Sequence, residues 1–179
     1  TTQTDKLYIV DGSGYIYRAF FANPHLRTSG GDPTNAIHGF TAMLRKLVDA
    51  ETPTHLAIAF DSGRDGWRRD LYPEYKQNRS QKPEELAAQE PAIRAIVDGY
   101  RIPVLQQDGV EADDLIATMV RHARAAGLEV VVVSSDKDLM QLVGPGVVML
   151  DTMKDLRFGP KEVEDKFGVP PERVIDVLA

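Results

Sequence analysis

Apolar residues in this chain gather into short unbroken runs that stop at an acid. Leu7-Tyr8-Ile9-Val10 ends at Asp11, and Leu56-Ala57-Ile58-Ala59-Phe60 ends at Asp61. Val130-Val131-Val132-Val133, after two serines, ends at Asp136. Runs of this length without alternation fit strands buried on both faces. A fourth stretch at 102–105 precedes Glu111-Ala112-Asp113-Asp114, and a fifth at 147–150 precedes Asp151. Between the runs the apolar period changes to that of a helix. Ile37, Phe40, Met43, Leu44 and Leu47 mark a helix from an N-cap at Thr34 to about residue 50. Pro83 opens another over about 84–98, and a third spans 111–126 and stops at Gly127. Shorter helices are predicted at 136–142, from Gly159-Pro160 to Phe167, and after Pro170-Pro171. This alternation predicts an α/β fold with a mostly parallel sheet. Residues 23–33 read as a loop. Residues 62–83 follow neither period and are too long and irregular for an ordinary connection.

In an open parallel sheet the C-terminal strand ends share one edge, and ligands bind in the crevice outside it. Seven acids are expected there: Asp11, Asp61, Glu111, Asp113, Asp114, Asp136 and Asp138. Taken singly, each has a structural reading, as an N-cap or as an acid complementing the helix dipole. Capping needs one acid per helix, whereas three fall in one turn at 111–114 and two more in Asp136-Lys137-Asp138. As a set they point to a hard divalent cation, Mg²⁺ or Mn²⁺, held by oxygen ligands. Such a site suits in-line displacement at phosphorus. Asp151 also follows an apolar run but reads as a turn residue.

Composition narrows the alternatives. The 179 residues are 42% hydrophobic and include no cysteine, which removes disulfides, zinc thiolates and thiol nucleophiles. No apolar run approaches the ~20 residues of a membrane span, and the N-terminus carries no signal-peptide pattern. His25, His38, His55 and His122 are scattered, and there is no phosphate-loop lysine motif. The net charge of −6 hides an asymmetry: residues 64–82 hold six basic and three acidic side chains. That segment interleaves rings and cations, Trp67-Arg68-Arg69, Tyr72, Tyr75-Lys76 and Arg79. Two readings stand for it: a solvated loop whose rings plug the core edge, or a surface for phosphates and unpaired bases. Tyr15, Tyr17 and Arg18 carry the same pair of readings, a contact with a terminal nucleotide or packing under the sheet.

Four blocks carry a family resemblance. They are Val10-Asp11-Gly12-Ser13 with Tyr17-Arg18; Phe60-Asp61 with Trp67-Arg68 and Tyr75-Lys76-x-x-Arg79; Gly109-x-Glu111-Ala112-Asp113-Asp114; and Ser135-Asp136-Lys137-Asp138-Leu139 with Gln141-Leu142. In this order they resemble the 5′ nuclease (flap endonuclease) superfamily, most closely the N-terminal 5′-to-3′ exonuclease domains of bacterial DNA polymerases I. The resemblance implies a PIN-like fold across 1–179, with a helical arch within about 64–98 that admits a single-stranded 5′ flap. It implies metal ligands at Asp11, Asp61, Glu111, Asp113, Asp114 and Asp136, with Asp138 leading towards a second ion. Arg68, Lys76 and Arg79 would engage phosphate. Tyr15, Tyr17, Arg18, Trp67, Tyr75 and Lys137 would lie along the DNA.

The implied partner is DNA bearing a 5′ flap, nick or single-stranded 5′ end, with a polymerase attached in the parent protein. A monomer working on the nucleoid in a bacterial cytoplasm is expected. The family's Gly-Asp-x-x-Asp-Asn block and duplex-gripping helices have no counterpart before Ala179, so the second metal site is expected to be incomplete. Two rivals follow: a weakly active flap-binding module, and a PIN-type ribonuclease.

Overall fold

The computed structural model describes residues 5–62, 66–75, 77 and 81–178. Strands β1 (Lys6–Asp11), β2 (His55–Ala59), β3 (Val104–Leu105), β4 (Glu129–Val133) and β5 (Val147–Asp151) run parallel, and β6 (Leu156–Phe158) joins antiparallel. The spatial order is β3-β2-β1-β4-β5-β6. The chain therefore builds outward from β1 in one direction and then, from β4, in the other. The crevice between β1 and β4 is a topological switch point, where ligands of open α/β sheets bind.

Alternate residues of each strand serve different cores, as the unbroken apolar runs require. Tyr8, Val10, Ile58, Val131 and Val133 face α1 (Gly12–Ala22), α2 (Asn35–Glu51) and α4 (Glu84–Gly99). Leu7, Ile9, Val130, Val132 and Met149 face α5 (Ala112–Ala125), α6 (Pro160–Phe167), a 3₁₀ turn at Lys137–Leu142 and the terminal α7 (Val174–Leu178). The result is a three-layer sandwich. Each fully buried aliphatic side chain contributes about 1.5–3 kcal/mol towards it. Helix α3 (Trp67–Leu71) buries no residue.

Helix α4 covers the last part of the span expected for the arch, and its Leu86, Ile93 and Val97 are wholly buried against the first core. A polar lock fixes it further. Gln89 Oε1 accepts from the Ala36 and Ile37 N–H groups at 2.9 and 3.2 Å, and Gln89 Nε2 donates to Asn35 Oδ1 at 3.0 Å. Thr34, expected to cap α2, makes no such side-chain bond. Gln89 satisfies the orphan donors in its place.

Candidate metal and nucleic-acid site

Asp11 is both the last residue of β1 and the N-cap of α1, and it is 6% exposed. Its Oδ1 accepts from Gly14 N–H at 2.8 Å, and its Oδ2 accepts from the Ser134 hydroxyl at 2.9 Å. Ser134, two residues before Asp136, in turn accepts from the Asp136 N–H at 3.0 Å. One hydroxyl thus ties the acids after β1 and β4 across the switch point. Asp136 Oδ1 caps the 3₁₀ turn by accepting from Asp138 N–H at 3.0 Å.

Asp61, just beyond β2, caps a helix distant in sequence. Its Oδ1 accepts from Ala112 N–H at 2.8 Å, at the start of α5. Its own N–H donates to Ser13 Oγ at 2.9 Å, and its carbonyl accepts from Gln106 Nε2 at 2.9 Å. Glu111, the residue preceding α5, caps nothing with its side chain and is engaged by the Tyr75 hydroxyl at 3.3 Å instead. The capping and ligand readings of these acids are compatible, because a carboxylate that accepts one or two bonds keeps lone pairs for a cation.

Glu111, Asp113, Asp114, Asp136 and Asp138 border one cavity of about 340 Å³. Asp61 and Glu111 border a second, of about 300 Å³, with Ser13, Tyr17 and Phe60. All seven acids therefore lie along the C-terminal strand edge. Among the described residues, however, no three of them are drawn into a ready-made cation cage.

Electrostatics separates the acids into two groups. Arg68 holds Asp114 with two charge-assisted bonds, at 2.5 and 2.7 Å, and lies 3.7 Å from Glu111. No Lys or Arg of the described residues forms an ion pair with Asp11, Asp61, Asp136 or Asp138. Burial pushes the Asp11 carboxyl above its ordinary range. The Gly14 N–H and Ser134 hydroxyl work against this, and the fields of Asp61 and Asp136 add to it. Asp11 is buried, whereas Asp61, Asp136 and Asp138 are exposed; carboxylate oxygens that pair with no Lys or Arg of the described residues suit a hard divalent ion.

The expected nucleic-acid residues divide. Tyr15 is corrected: it is 2% exposed, its hydroxyl bonds Thr152 at 2.6 Å, and its ring packs edge-on to Phe40, so it offers no face to a base. Arg18 is tied to Asp151 at 3.1 and 3.3 Å rather than standing free for a phosphate. Tyr17 is 38% exposed and borders the smaller cavity. Trp67 is half exposed, with the Arg68 guanidinium 4.5 Å from its ring centre. Tyr75 faces Glu111, and Lys137 is exposed at the start of the 3₁₀ turn. Lys76 and Arg79 lie outside the described residues.

Sequence reasoning missed Ser13 and Ser134, the two hydroxyls that join the acidic strand ends, because serine is unremarkable beside glycine or aspartate in a loop. It also missed the pairing of Asp151. Burial opposes the charge of Asp151, but Arg18 and the Lys154 and Met153 N–H groups outweigh it and hold the carboxyl below its usual range. A lowered folded-state value gives stability that is present above the unfolded value, near pH 4, and lost as pH falls through the folded one. Asp151→Asn should therefore cost about 1–3 kcal/mol at pH 7 and much less near pH 3. Thermal melts of both proteins across pH 3–7 check this.

A three-layer α/β domain whose parallel-strand edge carries acids at the switch point is the class the geometry defines. The sequence profile described as 5′-3′ exonuclease, N-terminal resolvase-like domain matches residues 6–168, and the chain belongs to that family. DNA polymerase I of Rhizobium leguminosarum is 51% identical over 183 residues, covering 98% of this chain and 18% of that protein. The 5′-3′ exonuclease of Aquifex aeolicus (strain VF5) is 43% identical over 173 residues, covering 97% of this chain and 60% of that protein. The chain thus spans under a fifth of the one relative and three-fifths of the other. Among solved structures, T5 5′-exonuclease with bound divalent metal ions (zinc) superposes with a TM-score of 0.74 at 22% identity, over 95% of this chain and 64% of that one. The T5 D15 flap endonuclease in a pseudo-enzyme-product complex with DNA and metal ions gives 0.72 at 21% identity, with the same coverage. These two share the fold of this chain.

Proposed function

We propose that this domain is a divalent-metal-dependent phosphodiesterase that cuts DNA at 5′ flaps, nicks or single-stranded 5′ ends, in repair and Okazaki-fragment processing on the bacterial nucleoid. The observation that carries the reading is Asp11, buried and in no ion pair with a Lys or Arg of the described residues, joined through Ser134 to Asp136 at the switch point. Asp11, Asp61 and Asp136, with Glu111, Asp113 and Asp114, would hold one cation, and Asp138 would stand towards a second. When bound, the cation supplies Lewis-acid charge to a phosphodiester and activates an attacking water.

The chain's own residues do the rest. Tyr75 and Arg68 orient Glu111 and Asp114. Trp67 and Tyr17 present partly exposed rings to unpaired bases. In this reading the arch is drawn from residues within about 64–98, and Arg68, Lys76 and Arg79 would engage phosphate. DNA polymerase I relatives and metal-bound T5 nucleases support the assignment, and the former make an attached polymerase the natural partner.

The test is cleavage of an end-labelled 5′-flap DNA in Mg²⁺ or Mn²⁺, beside the same flap in RNA. The DNA flap should be cut, the RNA flap should not, and a chelator should stop the reaction. Millimolar Mn²⁺ should also raise the melting temperature, because it binds the folded state alone. No cleavage together with an unmoved melting temperature would reject the reading, and preference for RNA would favour the ribonuclease rival.

A further inference from the structure

Every Lys or Arg withdrawn from solvent among the described residues has an oxygen partner, with one exception. Lys6 meets Glu129, Arg18 meets Asp151, Arg68 meets Asp114, and Arg124 donates to the Leu128 carbonyl. Arg94, on α4, makes neither an ion pair nor a hydrogen bond. It follows buried Ile93 and lies four residues after Glu90, its natural helical partner. Glu90 is already taken by Lys82, at 2.5 Å. The Arg94 guanidinium instead lies over the ring of Phe60, 3.6 Å from its centre.

Phe60 is the residue before Asp61, so this cation stands next to the acidic edge. Arg94 borders the 300 Å³ cavity together with Lys82, the acids Asp61, Glu90 and Glu111, and Tyr17. Stacking on a ring satisfies one face of a guanidinium but none of its five N–H donors. Burial without an acceptor is costly, and it pulls the Arg94 pKa downward against the weaker support of Glu90. The planar fork is the shape that takes two oxygens of a phosphate at once.

We infer that Arg94, backed by Phe60, is an anion subsite that grips a backbone phosphate of the substrate strand beside the acidic edge. The inference rests on the nuclease reading for the identity of the strand. It does not rest on that reading for the presence of an anion site. Phe60 would set the height of the guanidinium above the cavity floor, and α4, locked to α2 through Gln89, would keep it there.

Two measurements on Arg94→Met test this, since methionine keeps an apolar cover on Phe60 while removing the charge. First, inorganic phosphate titrated against the wild-type chain without nucleic acid should give a saturable rise in melting temperature that Arg94→Met lacks and Arg94→Lys partly retains. Equal responses in wild type and Arg94→Met would overturn the subsite. Second, binding of a 5′-flap DNA should weaken about five- to tenfold at fixed salt, and the slope of log affinity against log salt should shrink by about one. An unchanged affinity and slope would overturn the assignment to substrate phosphate. If wild type neither binds nor cuts flap DNA, the nuclease reading falls, and the phosphate titration alone decides the subsite.

Discussion

Asp11→Asn is expected to leave the protein more stable without metal and inactive with it. These opposite effects share one cause. The Asp11 carboxylate is buried, and no cationic side chain among the described residues forms an ion pair with it, so its charge opposes folding. A carboxyl whose folded-state value is raised gives stability below the unfolded value, near pH 4, and loses it as pH rises through the folded one. Asparagine copies the neutral form at every pH. Its Oδ1 can keep the Gly14 N–H, and its amide can donate to Ser134 Oγ.

The gain should show at pH 7 as a higher melting temperature than wild type in the absence of metal. It should vanish below pH 4. Cleavage of a labelled flap should fall below detection, and the Mn²⁺-dependent rise in melting temperature should disappear, because asparagine is a neutral and weaker ligand. Melts with and without Mn²⁺, run beside the flap assay, read all three outcomes. A variant less stable than wild type without metal, or one still stabilised by Mn²⁺ to the same degree, would mean that Asp11 is a structural cap alone.

Asp11 was legible because its run is apolar without interruption. Such a run marks a strand buried on both faces, and in a parallel sheet its end marks the functional edge. The same logic located β2 and β4 and the acids beyond them. It was weaker where local signals conflicted. Gly12-Ser13-Gly14 opens α1, and two glycines in a first turn hide a helix that Tyr15, Ile16, Ala19 and Phe20 bury at helical spacing. Reading that stretch as aromatic rather than periodic placed Tyr15 on DNA when its ring belongs to the core. β6 is three residues long and carries no alternation that a sequence can display. Partner choice was illegible for a different reason. Arg68 with Asp114, Asp61 with the start of α5, and Arg94 with Phe60 are all contacts between residues more than thirty positions apart. Only the assembled sheet brings them together.

Gly12→Ala, the second large effect, shows how tightly the edge and the core are joined. Gly12 is the first residue of α1, directly after Asp11, and is buried against β2. A methyl group there would sit 2.5 Å from both Ile58 Cγ2 and Phe60 Cε1, too close for any heavy-atom contact. Ile58 is a central strand residue, fully buried, with little room to turn. Phe60 is pinned between the core and the Arg94 guanidinium.

Relief must come from α1 lifting off β2 or from the Phe60 ring rotating. Overpacking of this kind costs about 1–3 kcal/mol, so the melting temperature should drop by roughly 3–10 °C at this chain length. Either relief also moves the site. Lifting α1 draws Gly14 and Ser13 away from Asp11 and Asp61, and rotating Phe60 displaces the residue that leads into Asp61. Cleavage should therefore fall at least tenfold even at 20 °C, where the variant is still folded. Circular dichroism at that temperature, beside the flap assay, separates the two effects. A folded variant with full activity would show that the first turn of α1 can shift without carrying the acidic edge with it.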